Sequence, residues 1–175
     1  MLFTTILLGL AATVSAIDIR LRELSGCGGN YIACIGINPN TCCGRTNERF
    51  RAVGFVAIPT DWRIQVRAHS GGNCAVLDSA QVIQGSTNAC LSEPGGFSRL
   101  SGGGYGFLNK RDTLQAAPEQ CDAQTCTSTV EPSVFVLGDE SAAWDITELS
   151  DEQLNKLVCL ITFSPSDPKI LLTLS

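Results

Sequence analysis

The sequence is poor in histidine, a common catalytic base and metal ligand, and in aromatic residues. Aromatic residues make up 6% of its 175 positions, and His69 is its single histidine. A secreted hydrolase could use His69 as a base beside Asp61 or Asp78, with Ser70 or Ser79 nearby. No nucleophile elbow or other catalytic signature surrounds His69, so a polar turn residue is the favoured interpretation. The composition therefore favours a protein without catalysis, and a small hydrolase is the alternative.

No apolar run is long enough to cross a membrane. Residues 2–14 are apolar, but a transmembrane helix needs about 20 such residues. The run ends at Val14-Ser15-Ala16, with small residues where signal peptidase accepts them, although its start lacks Lys or Arg. The sequence therefore predicts a signal peptide over residues 1–16, cleavage after Ala16, a secreted and extracellular protein, and no transmembrane segment.

Paired C-x-x-C motifs, which typify zinc sites, are also missing, although the chain has nine cysteines. All nine follow the predicted signal peptide, and cysteines of an exported chain meet an oxidising compartment. We therefore expect disulfides, no metal and no cofactor. The cysteines predicted to form disulfides are Cys27, Cys34, Cys42, Cys43, Cys74, Cys90, Cys121 and Cys126.

The first four cysteines constrain one another, because Cys42 and Cys43 are adjacent. Adjacent cysteines should bond to different partners, which are most simply Cys34 and Cys27 in either order. Six cysteines allow 15 connectivities, so the order stays open.

The remaining cysteines are assigned by proximity. Cys74 and Cys90 would close a hairpin-like loop, and Cys121 is expected to bond to Cys126. Cys159 then has no partner and falls on the polar side of a predicted helix. It is expected to be a free thiol or to link two chains in a disulfide-bonded dimer.

Charge divides the chain near Lys110-Arg111, its only dibasic pair. Residues 17–111 carry a net charge of +4, whereas residues 112–175 carry −9. The glycine-rich stretch 101–106 just before the pair is expected to be flexible and open to proteases. We predict a basic cysteine-rich domain over 17–111 and an acidic extension over 112–175, a possible propeptide cut off after Arg111 by a kexin-type protease. The alternative is a chance Lys-Arg pair on a loop.

Hydrophobic periodicity indicates a mainly β protein. Residues 17–22 alternate as a strand, and 25–45 are expected to form a loop. A buried strand over 53–58 and an alternating strand over 62–68 are predicted to pair as a hairpin. The short strands of 17–111 indicate a small disulfide-stapled sandwich or barrel.

The acidic segment should be a C-terminal α+β extension. Residues 133–137 and 143–146 can pair as a hairpin across 138–141. Ser150 and Gln153 have the spacing of a capping box, which predicts a helix beginning there.

Arginines are the remaining candidates for a site. Arg20 and Arg22 are expected on the outer face of the first strand, and Arg63 and Arg67 on the outer face of the hairpin. If those strands are neighbours, the four guanidinium groups form a patch for carboxylate, phosphate or sulfate. The alternative is a solvated face of a β domain. No aromatic residues are interleaved with the arginines, so nucleic acid is not an expected partner.

The combination of signal peptide, Asn-Pro-Asn-Thr-Cys-Cys, Ile-Pro-Thr-Asp-Trp, Lys-Arg and acidic tail resembles fungal small secreted cysteine-rich proteins. This resemblance implies an effector-like binding protein that recognises a host or cell-wall component, with an extracellular protein, a glycan or an anionic surface as partner. It implies no catalytic residues. The predicted hairpin and Ser70-Gly71-Gly72-Asn73-Cys74 give a fainter similarity to βγ-crystallin-like Greek-key toxins. A membrane-active or antimicrobial toxin is therefore another alternative.

Overall fold

The computed structural model describes residues 16–46, 49–93, 95, 99–108 and 126–163, with the helix side chains described from 152 to 158. These residues form strands and one helix. In chain order they are β1 (Ile17–Leu24), β2 (Gly28–Ile37), β3 (Thr41–Gly44), β4 (Ala52–Val56), β5 (Arg63–Ser70), β6 (Val76–Gln84), β7 (Asn88–Ser92), β8 (Leu100–Phe107), β9 (Ser128–Val130), β10 (Val134–Val136), β11 (Ala143–Asp145) and α1 (Asp151–Phe163).

The strands form two sheets that share one hydrophobic core. The first sheet has the order β11-β10-β2-β1-β4-β7, and the second has the order β6-β5-β8-β3-β9. Ile19 and Phe55 of the first sheet and Val66 and Tyr105 of the second belong to one buried cluster. The predicted mainly β, disulfide-stapled fold is confirmed, and it is a sandwich rather than a closed barrel.

Alternation along two strands predicts their inner faces correctly. Ile17, Ile19 and Leu21 of β1 are fully buried, and so are Val66 and Ala68 of β5. Successive side chains of a strand point to opposite faces, so the charged residues between them lie on the outer faces of the sheets.

The predicted hairpin between the strands near 53–58 and 62–68 is wrong. β4 pairs with β1 and β7 in the first sheet, whereas β5 pairs with β6 and β8 in the second. The chain leaves β4 through Ala57, whose φ is +61°, and the Ile58 N–H donates to the Thr87 carbonyl at 3.0 Å. The turn therefore carries the chain from one sheet to the other. The hydrophobic pattern identified the inner face of the strand near 62–68 and the burial of the strand near 53–58, but not the partners of either strand.

The segment 25–45 is not the predicted loop, because it contains β2 and β3. β2 pairs with β1 in an antiparallel ladder, with Arg22 opposite Tyr31 and Arg20 opposite Ala33. This pairing brings Tyr31 beside the arginines of β1.

Six cysteines before residue 111 form three disulfides among themselves, as predicted, but with a different connectivity. The bonds are Cys27–Cys90, Cys34–Cys43 and Cys42–Cys74. Bonding of Cys43 to Cys34 was one of the two options, whereas the predicted Cys27–Cys42 and Cys74–Cys90 bonds are wrong. Cys42 and Cys43 are successive residues of β3, so they face opposite sides of the second sheet. Cys43 therefore reaches the first sheet through the core, and Cys42 reaches the loop after β5.

Several other predictions concern residues that lie partly or wholly outside the described part of the chain. Cys126 is half-buried and bonds to no cysteine among the described residues, and its predicted partner Cys121 lies outside them. The Cys159 side chain, the Lys110-Arg111 pair and residues 1–15 also lie outside them. The Cys121–Cys126 bond, the roles of Cys159, the cleavage after Arg111 and the signal peptide therefore stay predictions.

The glycine-rich stretch 101–106 is a buried central strand, not the predicted flexible segment. It forms most of β8, which lies between β5 and β3. A Cβ atom at Gly102 would lie 2.6 Å from the Cys74 Sγ, and one at Gly103 would lie 2.5 Å from a Val53 methyl carbon. Glycine is needed here because the disulfide and the opposite sheet pack directly against the backbone.

Strands that follow residue 111 extend both sheets. β9 pairs in parallel with β3, and β10 pairs antiparallel with β2. The predicted hairpin between β10 and β11 is confirmed. The described residues on either side of the predicted domain boundary therefore share two sheets, while the boundary itself lies outside the described residues.

The capping box of α1 is also confirmed. The Ser150 N–H donates to the Gln153 Oε1 at 2.9 Å, and the Gln153 N–H donates to the Ser150 Oγ at 3.3 Å. Leu154 and Leu157 are buried in the shared core. No helix among the described residues is long and apolar enough to span a membrane.

Candidate anion-binding site

The four predicted arginines do not lie on one surface. Arg20 and Arg22 belong to β1 of the first sheet, whereas Arg63 and Arg67 belong to β5 of the second. The condition for a single patch was that the two strands are neighbours, and they are not. The structure therefore divides the predicted patch into two sites with different surroundings.

On the first sheet, two guanidinium groups lie over one tyrosine ring. The Arg20 Cζ is 4.7 Å and the Arg22 Cζ 4.0 Å from the centroid of the Tyr31 ring. Tyr31 is 4% exposed and packs with Ala33 and Val136 in a small cluster. Because the ring face carries negative charge, it attracts both cations and fixes where they lie.

A carboxylate from the acidic segment completes this group. The Arg20 Nη1 donates to the Glu140 Oε1 at 2.8 Å, and the Tyr31 hydroxyl donates to the same oxygen at 3.2 Å. Glu140 lies in the turn between β10 and β11, where the Asp139 carboxylate accepts hydrogen bonds from the Ser141 N–H and hydroxyl. We call Arg20, Arg22 and Tyr31 the arginine–tyrosine site and Glu140 its internal carboxylate.

The Arg22 guanidinium is only partly hydrogen-bonded within the described residues. The Arg22 Nη1 donates to the Gly29 carbonyl at 3.0 Å, but the buried Arg22 Nε has no hydrogen-bond partner among the described residues. Burial lowers the pKa of Arg22, and the nearby charge of Arg20 lowers it further. Burial also raises the pKa of Tyr31, so its hydroxyl stays a donor at neutral pH. Two adjacent cations and a neutral donor favour an anion at this position.

The arginine–histidine region of the second sheet, Arg67 and His69, is covered instead. Arg67 is 5% exposed, and its Nη2 lies 3.4 Å from the Asn40 Oδ1. A Cβ atom at Gly106 would collide with the same Nη2 of Arg67. Arg67 is therefore packed between neighbouring groups rather than presented to a partner. Arg63, at the start of β5, is half-buried.

His69 is buried in the same region, at 1% exposure. Burial first, and then the charge of Arg67, lowers the pKa of His69 to about 4, with the backbone of Val76 acting weakly in the opposite sense. Neither ring nitrogen makes a hydrogen bond of normal geometry within the described residues. The imidazole is therefore neutral at pH 7 and enclosed.

These surroundings do not favour the hydrolase alternative. Asp78, one of the two carboxylates considered as partners of His69, forms an ion pair with Arg99 at 3.0 Å, and Asp61 is exposed. An enclosed imidazole whose ring nitrogens make no hydrogen bond of normal geometry within the described residues lacks the geometry of a general base. Among the described residues, no group of three His, Cys, Asp or Glu side chains could hold a metal ion.

Sequence reasoning identified Arg20 and Arg22 but missed Tyr31 and Glu140. Tyr31 follows the alternation of β2, where Ile32 and Cys34 face the core. That alternation lies within residues 25–45, which the sequence predicts to be a loop. Nothing in the sequence places Glu140 beside Arg20, because the contact depends on the pairing of β10 with β2.

Comparison with known proteins places this region inside a family domain. A family model named ARB_05566_N, described as an N-terminal domain, matches residues 18–133. The chain belongs to this family. The ARB_05566_N domain includes Arg20, Arg22 and Tyr31 but ends before Glu140. No curated protein and no solved structure gives a significant match to the chain.

Proposed function

We propose that this protein is secreted and binds an anionic component of a host or cell wall outside the cell, without catalysis, through Arg20 and Arg22. The observation that carries the proposal is the carboxylate already bound there, with the Glu140 Oε1 2.8 Å from Arg20. A site that holds one carboxylate in this geometry has the chemistry to hold another. Arg63 and Arg67, which the sequence placed in the same patch, are not part of this site.

The scaffold suits the proposed environment. Three disulfides link strands and loops of the sandwich, and one of them, Cys34–Cys43, joins its two sheets. Each such bond typically contributes about 2–4 kcal/mol of stability and persists in an oxidising compartment. Together with the predicted signal peptide and the resemblance to fungal small secreted cysteine-rich proteins, this supports an effector-like role. Mass analysis of protein from culture medium should show an N-terminus at Ile17.

Binding is tested with defined anionic probes on the full mature chain. The probes are an acidic synthetic peptide, oligogalacturonate, a sulfated oligosaccharide and vesicles that contain phosphatidylserine. We expect Arg20→Ala and Arg22→Ala each to weaken binding of at least one probe about tenfold, since a charge-assisted hydrogen bond is lost. Arg63→Ala, an arginine of the other sheet, is the matched control and should bind as the unchanged protein does.

Two outcomes would overturn the proposal. If Arg63→Ala weakens binding as much as Arg20→Ala does, the probes are attracted by the overall charge of the protein and not by a site at Arg20 and Arg22. If none of the probes binds, no anion is recognised at Arg20 and Arg22. Leakage of the vesicles would support the membrane-active alternative, and hydrolysis that His69→Ala abolishes would support the enzyme.

A further inference from the structure

We infer that the arginine–tyrosine site receives a glutamate or aspartate side chain from an acidic turn of a partner protein, and that Glu140 is a tethered competitor that occupies it beforehand. This inference rests on the proposed function and specifies both its ligand and its regulation.

The first support is the convergence of donors on one atom. The Arg20 Nη1 and the Tyr31 hydroxyl both donate to the Glu140 Oε1, at 2.8 and 3.2 Å. The Glu140 Oε1 thus accepts hydrogen bonds from a guanidinium and a phenol at once. The carboxylate of a ligand could accept the same two hydrogen bonds at this position. Arg22 adds its charge from the other position over the ring, 4.0 Å from its centroid.

The second support is the tight turn that carries the Glu140 carboxylate. Glu140 has a φ of +57° in a turn that Asp139 and Ser141 brace by hydrogen bonds. The site thus holds a glutamate on a tight acidic turn of a polypeptide. A partner turn of the same chemistry can reproduce this contact, which favours an acidic protein segment over an anionic glycan or a lipid headgroup.

The third support is that the exchange requires little rearrangement. The Glu140 side chain is 56% exposed and that of Arg20 is 21% exposed, so a carboxylate can approach from solvent. Exposed ion pairs contribute little to stability, because water screens them. β10 stays paired with β2 through Val134, Phe135 and Val136, so only the Glu140 side chain must leave. The match to the family model ends at residue 133, so Glu140 lies outside the matched residues.

A tethered competitor lowers apparent affinity without abolishing it. Because the internal contact is a surface ion pair, we expect its removal to strengthen binding by about fivefold. The full mature chain is compared with Glu140→Ala and with Glu148→Ala. Glu148 is an exposed acid of the same segment, so its variant has the same net charge as Glu140→Ala.

The probe is a cyclic peptide that copies the turn Leu137–Ala142, and a second peptide has glutamine in place of its glutamate. Calorimetric titration should show the glutamate peptide binding Glu140→Ala about five times more tightly than the unchanged chain, and Glu148→Ala binding as the unchanged chain does. Adding Arg22→Ala to Glu140→Ala should weaken binding about tenfold, as should the glutamine peptide.

The outcomes separate this inference from the function on which it rests. If Glu140→Ala and Glu148→Ala bind the peptide equally while Arg20→Ala weakens binding, the competitor is overturned and the anion site stands. If Glu140→Ala binds oligogalacturonate more tightly than the glutamate peptide, or binds no peptide at all, the acidic-turn ligand is overturned. Melting temperatures within about 2 °C of the unchanged chain show that the exposed substitutions leave the fold intact.

Discussion

The outer faces of the two sheets carry similar residues, but these residues differ in their exposure to solvent. Arg20 of β1 keeps contact with solvent and holds an exposed carboxylate, whereas Arg67 of β5 is 5% exposed and its neighbour His69 is 1% exposed. Both strands alternate in the same manner. Alternation therefore tells which side of its own sheet a residue occupies, but not whether that side meets water, a loop or another segment.

The difference has an energetic consequence. A cation on a solvated face can be removed at little cost and is available to a ligand. A cation on a covered face has lost water and must keep its protein contacts, so its removal leaves buried groups unsatisfied. The comparison therefore predicts large stability effects at the arginine–histidine region and small ones at the arginine–tyrosine site.

The largest effect is expected on the covered side of the second sheet, at Gly102. A Cβ atom there would lie 2.6 Å from the Cys74 Sγ and 2.7 Å from the Cys43 carbonyl oxygen. Gly102→Ala should lower the free energy of unfolding by about 3 kcal/mol, since neither the disulfide nor the strand can move away. Gly28→Ala, whose Cβ atom meets nothing closer than 3.8 Å, is the matched control in urea denaturation. Equal urea midpoints for the two variants would show that the backbone of β8 at Gly102 is not tightly packed.

A similar loss is expected on acidification because of His69. Its pKa falls from 6.5 to about 4 on folding, so the unfolded chain binds more protons between those values. The free energy of unfolding should therefore decrease by on the order of 3 kcal/mol as the pH falls from about 6.5 to about 4. His69→Gln removes this titration, so the difference between the two pH profiles isolates it. Parallel profiles would mean that His69 is solvated in the folded protein.

Arginine truncation compares the two faces directly. Arg67→Ala should destabilise the protein by about 2 kcal/mol, because its packing over Gly106 and its contact with Asn40 are lost. Arg20→Ala should cost less than about 1 kcal/mol, because its partner Glu140 is an exposed acid. Thermal denaturation of both variants checks the order. If Arg20→Ala destabilised the protein more than Arg67→Ala, the assignment of Arg20 to a solvated face and Arg67 to a covered face would be wrong.

Cleavage after Arg111 should have the smallest effect on the fold, because both sheets should stay assembled. β9 and β10 pair with strands from before the cleavage point, and α1 contributes Leu154 and Leu157 to the core. Protein cut by a kexin-type protease should therefore stay as one particle in native mass spectrometry and separate into two pieces in denaturant with the disulfides intact. Release of an acidic fragment in native buffer would instead support a propeptide that leaves spontaneously.

Local features of the fold could be read from the sequence. Ser150 and Gln153 identified the start of the helix, because a capping box acts within one turn. Periodicity identified the buried faces of β1 and β5. The glycines of β8 were misread because their composition suits a flexible linker equally well, and only the disulfide packed against Gly102 distinguishes the two cases.

Contacts between distant segments could not be read in the same way. Strand pairing decides that β4 and β5 belong to different sheets, and that Cys42 and Cys43 reach partners on opposite sides. The same pairing brings Tyr31 and Glu140 to Arg20, from positions far apart in the chain. The two arginines of the candidate site could therefore be predicted from the pattern of one strand. Tyr31 and Glu140 could not, because their positions depend on the strand topology.

One spectrum can test the central claim, which is that the arginine–tyrosine site binds carboxylates and the arginine–histidine region does not. Side-chain NMR of the Glu140→Ala protein with isotope-labelled arginine, titrated with propionate, reports on both faces in one sample. The Arg20 and Arg22 guanidinium signals should shift to saturation while those of Arg67 stay in place, and propionamide should move none of them. Equal movement of the Arg67 signals, or no saturable movement at Arg20 and Arg22, would contradict the account.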